Sequence, residues 1–115
     1  TTFQGDLSSW DVSSVENMRG LFSSAESFNS DLSNWDVSNV TTMASMFMGA
    51  HTFDSDITGW DISNTVNMGN MFWDASSFEQ DLSVWDISHV VVIEGMFGGS
   101  YAGGCSISEG MIFCP

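Results

Sequence analysis

The chain has 115 residues, a single basic side chain against fifteen acids, and a formal net charge of −14. A phosphate backbone would be repelled, which excludes nucleic acid as a partner, and an anionic membrane surface is disfavoured for the same reason. Five Trp and nine Phe in a composition that is 43% hydrophobic exclude a disordered acidic tail, and the length suits one domain.

No stretch reaches transmembrane length. No signal peptide is legible and the chain opens on Thr1, so it reads as a mature or excised segment. From there a repeat dominates. Phe3, Phe28, Phe53 and Phe78 recur at a fixed step, as do Asp6, Asp31, Asp56 and Asp81, then Trp10, Trp35, Trp60 and Trp85. Each Trp is followed by an Asp (Asp11, Asp36, Asp61, Asp86), and Phe22, Phe47, Phe72 and Phe97 complete the set of recurring residues. The step is 25 residues without insertion or deletion, so equivalent residues are expected to lie above one another.

Within a unit, the early Asp reads as a turn residue bonding its own backbone. Leu32, Trp35, Val37 and Val40 then have the leucine-rich-repeat spacing, which predicts three-residue parallel strands at 10–12, 35–37, 60–62 and 85–87. Trp and Val should point inward and the intervening Asp outward. The spacing of Val40, Met43, Met46, Phe47 and Ala50 is that of one helix face. It predicts helical turns over 15–23, 40–48, 65–73 and 90–98. Ser38 is placed to cap one of them, and Ser13 with Glu16 has the form of a capping box. A polar return, anchored by Phe53 in the second unit, completes each coil. The expected fold is an α/β repeat solenoid, a leucine-rich-repeat-like stack of four strand-plus-short-helix coils over residues 1–100. Residues 101–115 read as a degenerate fifth coil and cap: Ile107 keeps the Leu column and Ile112 the Val column, while Gly103 and Gly110 stand at the Phe and Trp positions. Cys105 and Cys114, close in sequence, suit a disulfide closing that cap and an oxidising compartment. The first unit shows no comparable cap.

The run F-N-S-D-L-S-N-W-D-V-S-N-V-T-T-M-A-S-M-F, Phe28 to Phe47, resembles the BspA-like surface-protein repeats, 25-residue repeats found in mycoplasma surface lipoproteins and in bacterial and protist surface proteins. The resemblance extends from Phe3 to about Ser100. Units three and four read W-D-I-S, Thr65 stands in a Val column beside Val66, and Ile93 replaces Met. The resemblance implies a leucine-rich-repeat-like fold, a surface location, and roles in adhesion or protein interaction. It supplies no catalytic residues.

Asp11, Asp36, Asp61 and Asp86 are the main site candidates. Carboxylates on adjacent strands, roughly 4.8 Å apart, repel by about 1 kcal/mol in water and more near a protein surface. Hydrogen bonds, bound cations such as calcium, or a basic partner would compensate; local hydrogen bonding is favoured, because no D-x-D-x-D-G loop is present. Trp73 lies outside the Trp column and is a second partner-binding candidate. The Trp column itself, and the Met-rich face, read as core. His51 and His89 lack partners at metal-ligand spacing. Asn39-Val40-Thr41 is a glycosylation sequon, relevant in a eukaryotic source. No nucleophile, phosphate loop or asymmetric acid pair supports an enzyme, and no cofactor is implied. The expected function is therefore a non-enzymatic, secreted or cell-surface module that binds a protein or glycan. The alternative is a structural subunit of an extracellular filament or coat, self-associating end to end through its uncapped N-terminal end.

Overall fold

A computed structural model describes residues 6–98 and 105–114. Phe3, Gly103 and the 100/101 boundary between the expected domains lie outside these residues. The 25-residue units pack on one another in sequence order. Asn17 pairs with Thr42, Thr42 with Asn67, and Asn67 with Val92, each through one parallel bridge. Beyond the bridge, alternate amides donate to the following unit: Met18 to the Thr42 carbonyl (3.0 Å), Gly20 to Ala44 (2.9 Å), Phe22 to Met46 (2.9 Å) and Ser24 to Met48 (2.7 Å). The next two joints repeat this from Met43, Ser45, Phe47 and Gly49, and from Met68, Asn70, Phe72 and Asp74. The intervening amides close turns within their own unit, as Leu21 does on Met18, Ser23 on Gly20 and Ala25 on Phe22.

This is not the expected solenoid of leucine-rich-repeat-like strand-plus-helix coils. The described residues contain no α-helix. Their regular elements are a 3₁₀ turn, Leu82–Val84, and a two-stranded sheet. The segments 15–23, 40–48, 65–73 and 90–98 are runs of turns. A turn closed between residues three apart returns apolar side chains to one side at nearly the helical spacing, so the two patterns look alike. Backbone sign decides between them. Gly20 (φ 63°), Ser45 (57°), Asn70 (56°) and Gly95 (71°) form a left-handed column, and Ser24 (60°), Gly49 (71°) and Asp74 (59°) form another four residues on. A left-handed residue cannot sit inside a right-handed helix. Ser13 and Ser38 accordingly cap nothing. Their hydroxyls donate to Asp11 and Asp36 instead.

The expected parallel strands are also absent. Residues 10–12, 35–37 and 60–62 carry no strand pairing, and 85–87 contributes one antiparallel bridge, Asp86 to Met111. The Asp in each segment bends the chain by accepting from the residue two on, a competition that local side-chain bonding wins over a ladder. The C-terminal cap is likewise a hairpin rather than a degenerate coil. β1 (Ser106–Ser108) and β2 (Met111–Phe113) pair antiparallel with Ile107 opposite Ile112. Glu109 (φ 54°) and Gly110 (φ 75°) make the two-residue turn, whose two positive φ angles match the twist of a tight hairpin. The Cys105–Cys114 disulfide closes the hairpin at its open end.

The core is a double file of phenylalanines. Phe22 stacks on Phe28 at 4.0 Å, Phe47 on Phe53 at 4.0 Å and Phe72 on Phe78 at 4.4 Å within units. Between units, Phe22, Phe47, Phe72 and Phe97 follow one another at 5.6–5.8 Å. Trp35, Trp60 and Trp85 are buried beside the files, as are Met18, Met43, Met46, Met68 and Met71. Thr65 is fully buried, and its hydroxyl donates to the Val40 carbonyl at 2.8 Å, so the hydroxyl is satisfied where Val stood elsewhere. Val66 is exposed and does not take over that place.

Two predictions follow from backbone and cap. Ser45→Val forces a β-branched residue into the left-handed region and should cost about 1–3 kcal/mol in a denaturant titration, whereas Ser45→Gly should not destabilise. Replacing both Cys105 and Cys114 by Ser should cost roughly 2–3 kcal/mol by the loop-closure argument. Amide exchange should then rise first within 105–114, and unchanged exchange there would contradict a stapling role.

Candidate functional site

Two rows of aspartates run along the surface, one member per unit in each, and all eight are exposed. In the first row, Oδ1 of Asp11 accepts from the Ser13 amide at 3.0 Å and hydroxyl at 2.6 Å. Asp36 does the same with Ser38, and Asp86 with Ser88; Asp61 takes the Ser63 amide at 3.0 Å. In the second row, Asp31, Asp56 and Asp81 hold Ser33, Thr58 and Ser83 in the same way, and Asp6 accepts from the Ser8 amide. One turn chemistry therefore serves both rows.

These bonds set the protonation state. The hydroxyl two residues on is the largest cause holding Asp11, Asp31, Asp36, Asp56, Asp61, Asp81 and Asp86 below the usual carboxylate range, and its amide is the next. For Asp6 the Ser8 amide comes first. Neighbouring charges push the other way, Asp61 and Asp11 on Asp36, and Asp6 and Asp56 on Asp31, but these are weaker than the hydrogen bonds. The rows are thus ionised at neutral pH. For the cation candidates Asp11, Asp36, Asp61 and Asp86, the described residues contain no group of three or more His, Cys, Asp or Glu arranged to hold a metal ion.

Trp73 is half-exposed, yet its ring covers the next unit. A Cβ on Gly98 would lie 2.1 Å from Trp73 Cε3 and Cζ3, and one on Gly95 3.3 Å from Cε3. Glycine at these positions makes room for the indole, so Trp73 joins units three and four with one face and offers solvent only the other. Asn39, the sequon residue, is similarly engaged. Its Nδ2 donates to the Ser13 carbonyl at 2.8 Å, and Asn64 repeats that bond to Ser38. His89 reaches the Ile62 carbonyl from the same column (2.9 Å). His51 bridges units, with Nδ1 3.7 Å from Glu26 and Nε2 3.2 Å from Asp74. Glu26 and His51 stand in one column, 25 residues apart, but Asp74 belongs to another, so the repeat spacing alone does not bring the three together.

The Trp column shows how the first two joints are built; at the third, Trp85 is buried but its Nε1 has no hydrogen-bond partner among the described residues. Trp35 donates Nε1 to the Leu7 carbonyl and Trp60 to Leu32, both at 2.9 Å, so each indole docks on the preceding unit. Trp10, first of the column, is 58% exposed, against 4–5% for the other three. It borders an apolar groove of about 570 Å³ with Leu7, Val12, Val15 and Leu21. The reading of the whole column as core therefore fails at its first member, which has no described unit before it.

A protein-family model described as Mycoplasma protein of unknown function, DUF285, matches residues 1–109. The chain belongs to that family. The DUF285 match ends within the hairpin turn, so it spans both aspartate rows and the complete Trp column. Comparison with curated proteins and with solved structures finds no match. Among the described residues, no helix is long and apolar enough to cross a membrane.

The aspartate rows carry a pH signature. Folded-state values lie below the ordinary 3.8, so the stabilisation is present above that pH and is lost as pH falls from about 4 through the depressed folded values. A melting temperature that is flat across this acid range would contradict the assignment. Asp61→Ala should lower the melting temperature more than Asp61→Asn, which keeps an oxygen for the Ser63 amide. At the other position, Gly98→Ala must displace the Trp73 ring and should cost about 1–3 kcal/mol, with a red-shifted indole emission. Unchanged emission would show that the ring does not rest on Gly98.

Proposed function

We propose that this DUF285 chain is a non-enzymatic, BspA-like module, secreted or displayed at a cell surface, that binds a basic protein surface through its aspartate rows. The supporting observation is the pair of exposed rows held ionised by their own turns. In the Asp11 row, Oδ1 is committed to the turn and the second carboxylate oxygen is left for solvent or a partner. Fixed spacing on a rigid core lets Lys or Arg side chains meet several carboxylates without reordering them. A glycan is the weaker fit, because Trp35, Trp60 and Trp85 are buried and offer no stacking platform. The disulfide supports an oxidising, extracellular setting.

Binding to a Lys-rich peptide, followed by calorimetry, tests this. Affinity should be highest at low ionic strength and fall steadily with added salt. Replacing Asp11, Asp36, Asp61 and Asp86 together by Asn should remove most of it. No binding at low ionic strength, or binding indifferent to the fourfold variant, would sink the proposal.

A further inference from the structure

We infer that the Cys105–Cys114 hairpin is a redox-sensitive clamp on the Asp86–Ser88 turn, so that reducing the disulfide loosens the last member of the Asp11 row and leaves the other three fixed. The four turns of that row share one chemistry but are not held from outside in the same way. The first three are each gripped by a side chain of the following unit. Asn39 Nδ2 donates to the Ser13 carbonyl and Asn64 Nδ2 to the Ser38 carbonyl, both at 2.8 Å, and His89 Nε2 lies 2.9 Å from the Ile62 carbonyl. The fourth turn receives no such side chain among the described residues.

The hairpin takes over that role. Met111 on β2 pairs with Asp86 in an antiparallel bridge. Gly110 rests on Ser88, where an added Cβ would lie 3.1 Å from Ser88 Cα and 3.3 Å from its Cβ. The clamp therefore touches both ends of the bond it protects, since Asp86 Oδ1 accepts from the Ser88 amide at 2.9 Å and hydroxyl at 2.6 Å. Its own hold is slender. Each strand has three residues, a size at which an isolated two-stranded hairpin is marginal in water. Ile112 is its one fully buried strand side chain, so closure of the open end by the disulfide matters. Cys114 is partly exposed and Cys105 is buried, which directs attack to Cys114. A thiolate of a dithiol reductant bonds to Cys114 Sγ, the Cys105–Cys114 bond breaks, and Cys105 leaves as a thiolate that takes up a proton. The second thiolate of the reductant then displaces Cys114, leaving two protein thiols and a cyclic reductant disulfide.

Amide exchange of the whole chain, oxidised and after dithiothreitol, tests the clamp. Ser38 is the internal control, because its amide makes the same bond to Asp36 at 3.0 Å away from the hairpin. Reduction should lower protection of the Ser88 amide by about 30- to 100-fold, the factor that closing a loop of this length supplies, and leave Ser38 unchanged. Replacing Cys105 and Cys114 together by Ser should do the same without reductant. Gly110→Val lifts the hairpin from Ser88 with the disulfide intact and should also strip protection from Ser88 alone. Unchanged protection at Ser88, or equal loss at Ser88 and Ser38, overturns the clamp. The consequence for binding rests on the function proposed above. Reduction should weaken binding of the Lys-rich peptide about two- to fivefold, the range of one exposed ion pair, and should add nothing in Asp86→Asn. Failure of the oxidised chain to bind the peptide overturns the binding reading and leaves the clamp standing on Ser88. Peptide affinity that is unchanged while Ser88 loses protection overturns the link from clamp to row.

Discussion

Ring stacking between phenylalanines fixes the register on which the other interactions depend. Within a unit two rings lie face to face at 4.0–4.4 Å, and between units they succeed one another at 5.6–6.0 Å, so two files of rings run through the described units. A stacked pair contributes about 0.5–1.5 kcal/mol beyond burial, and burying each ring contributes about 1.5–3 kcal/mol. Burial therefore supplies most of the stabilisation, while stacking selects one alignment. Inserting a single residue in a unit would carry its ring out of file. The same slip would misplace the amides that donate to the next unit, the Trp indole aimed at the preceding Leu carbonyl, and the Asn39 and Asn64 amides.

The interior was legible in the sequence because burial follows the column. Phe, Met and Trp at the repeat step are inside, and the Asp of each W-D pair bonds a hydroxyl two residues away. The local path was not legible, because a train of three-residue turns and a helix place apolar residues almost alike. The distinguishing signal lay in two polar columns. Gly20, Asn70 and Gly95, with Gly49 and Asp74, are the residue types that accept a left-handed backbone, and they recur four residues apart. Ser24 and Ser45 hide the pattern, since Ser carries no such preference. The hairpin was similarly available in S-I-S-E-G-M-I-F, where alternation flanks a Gly-containing pair. It was masked by the apparent continuation of the repeat columns through Ile107 and Ile112. Trp73 illustrates a different limit. Its exposure was legible from its column, but the glycines that accommodate its ring belong to another unit.

The aspartate rows divide the work between two oxygens of one group. The oxygen that bends the chain also keeps the carboxylate ionised, since a bond from a hydroxyl and an amide favours the charged form. Architecture thus maintains the charge that a partner would meet. The cost is repulsion along the row, visible in the influence of Asp11 and Asp61 on Asp36. It stays small because the groups face water. A row buried to the same spacing would neutralise instead.

The inter-unit amides also give the stack a direction. In all three joints four alternate donors point toward the later unit, and they outnumber the amides that donate back, Thr41 and Thr42 to Glu16, Val66 to Thr41, and Val91 and Val92 to Val66. Peptide dipoles so aligned add, as they do along a helix axis, leaving one end relatively positive and the other relatively negative. Here the positive end is unit four, which carries Glu94, and the negative end is unit one, which carries Arg19. Each of these charges sits where the backbone field favours its sign, so the protein is electrically polar along its length even though its net charge is overwhelmingly of one sign.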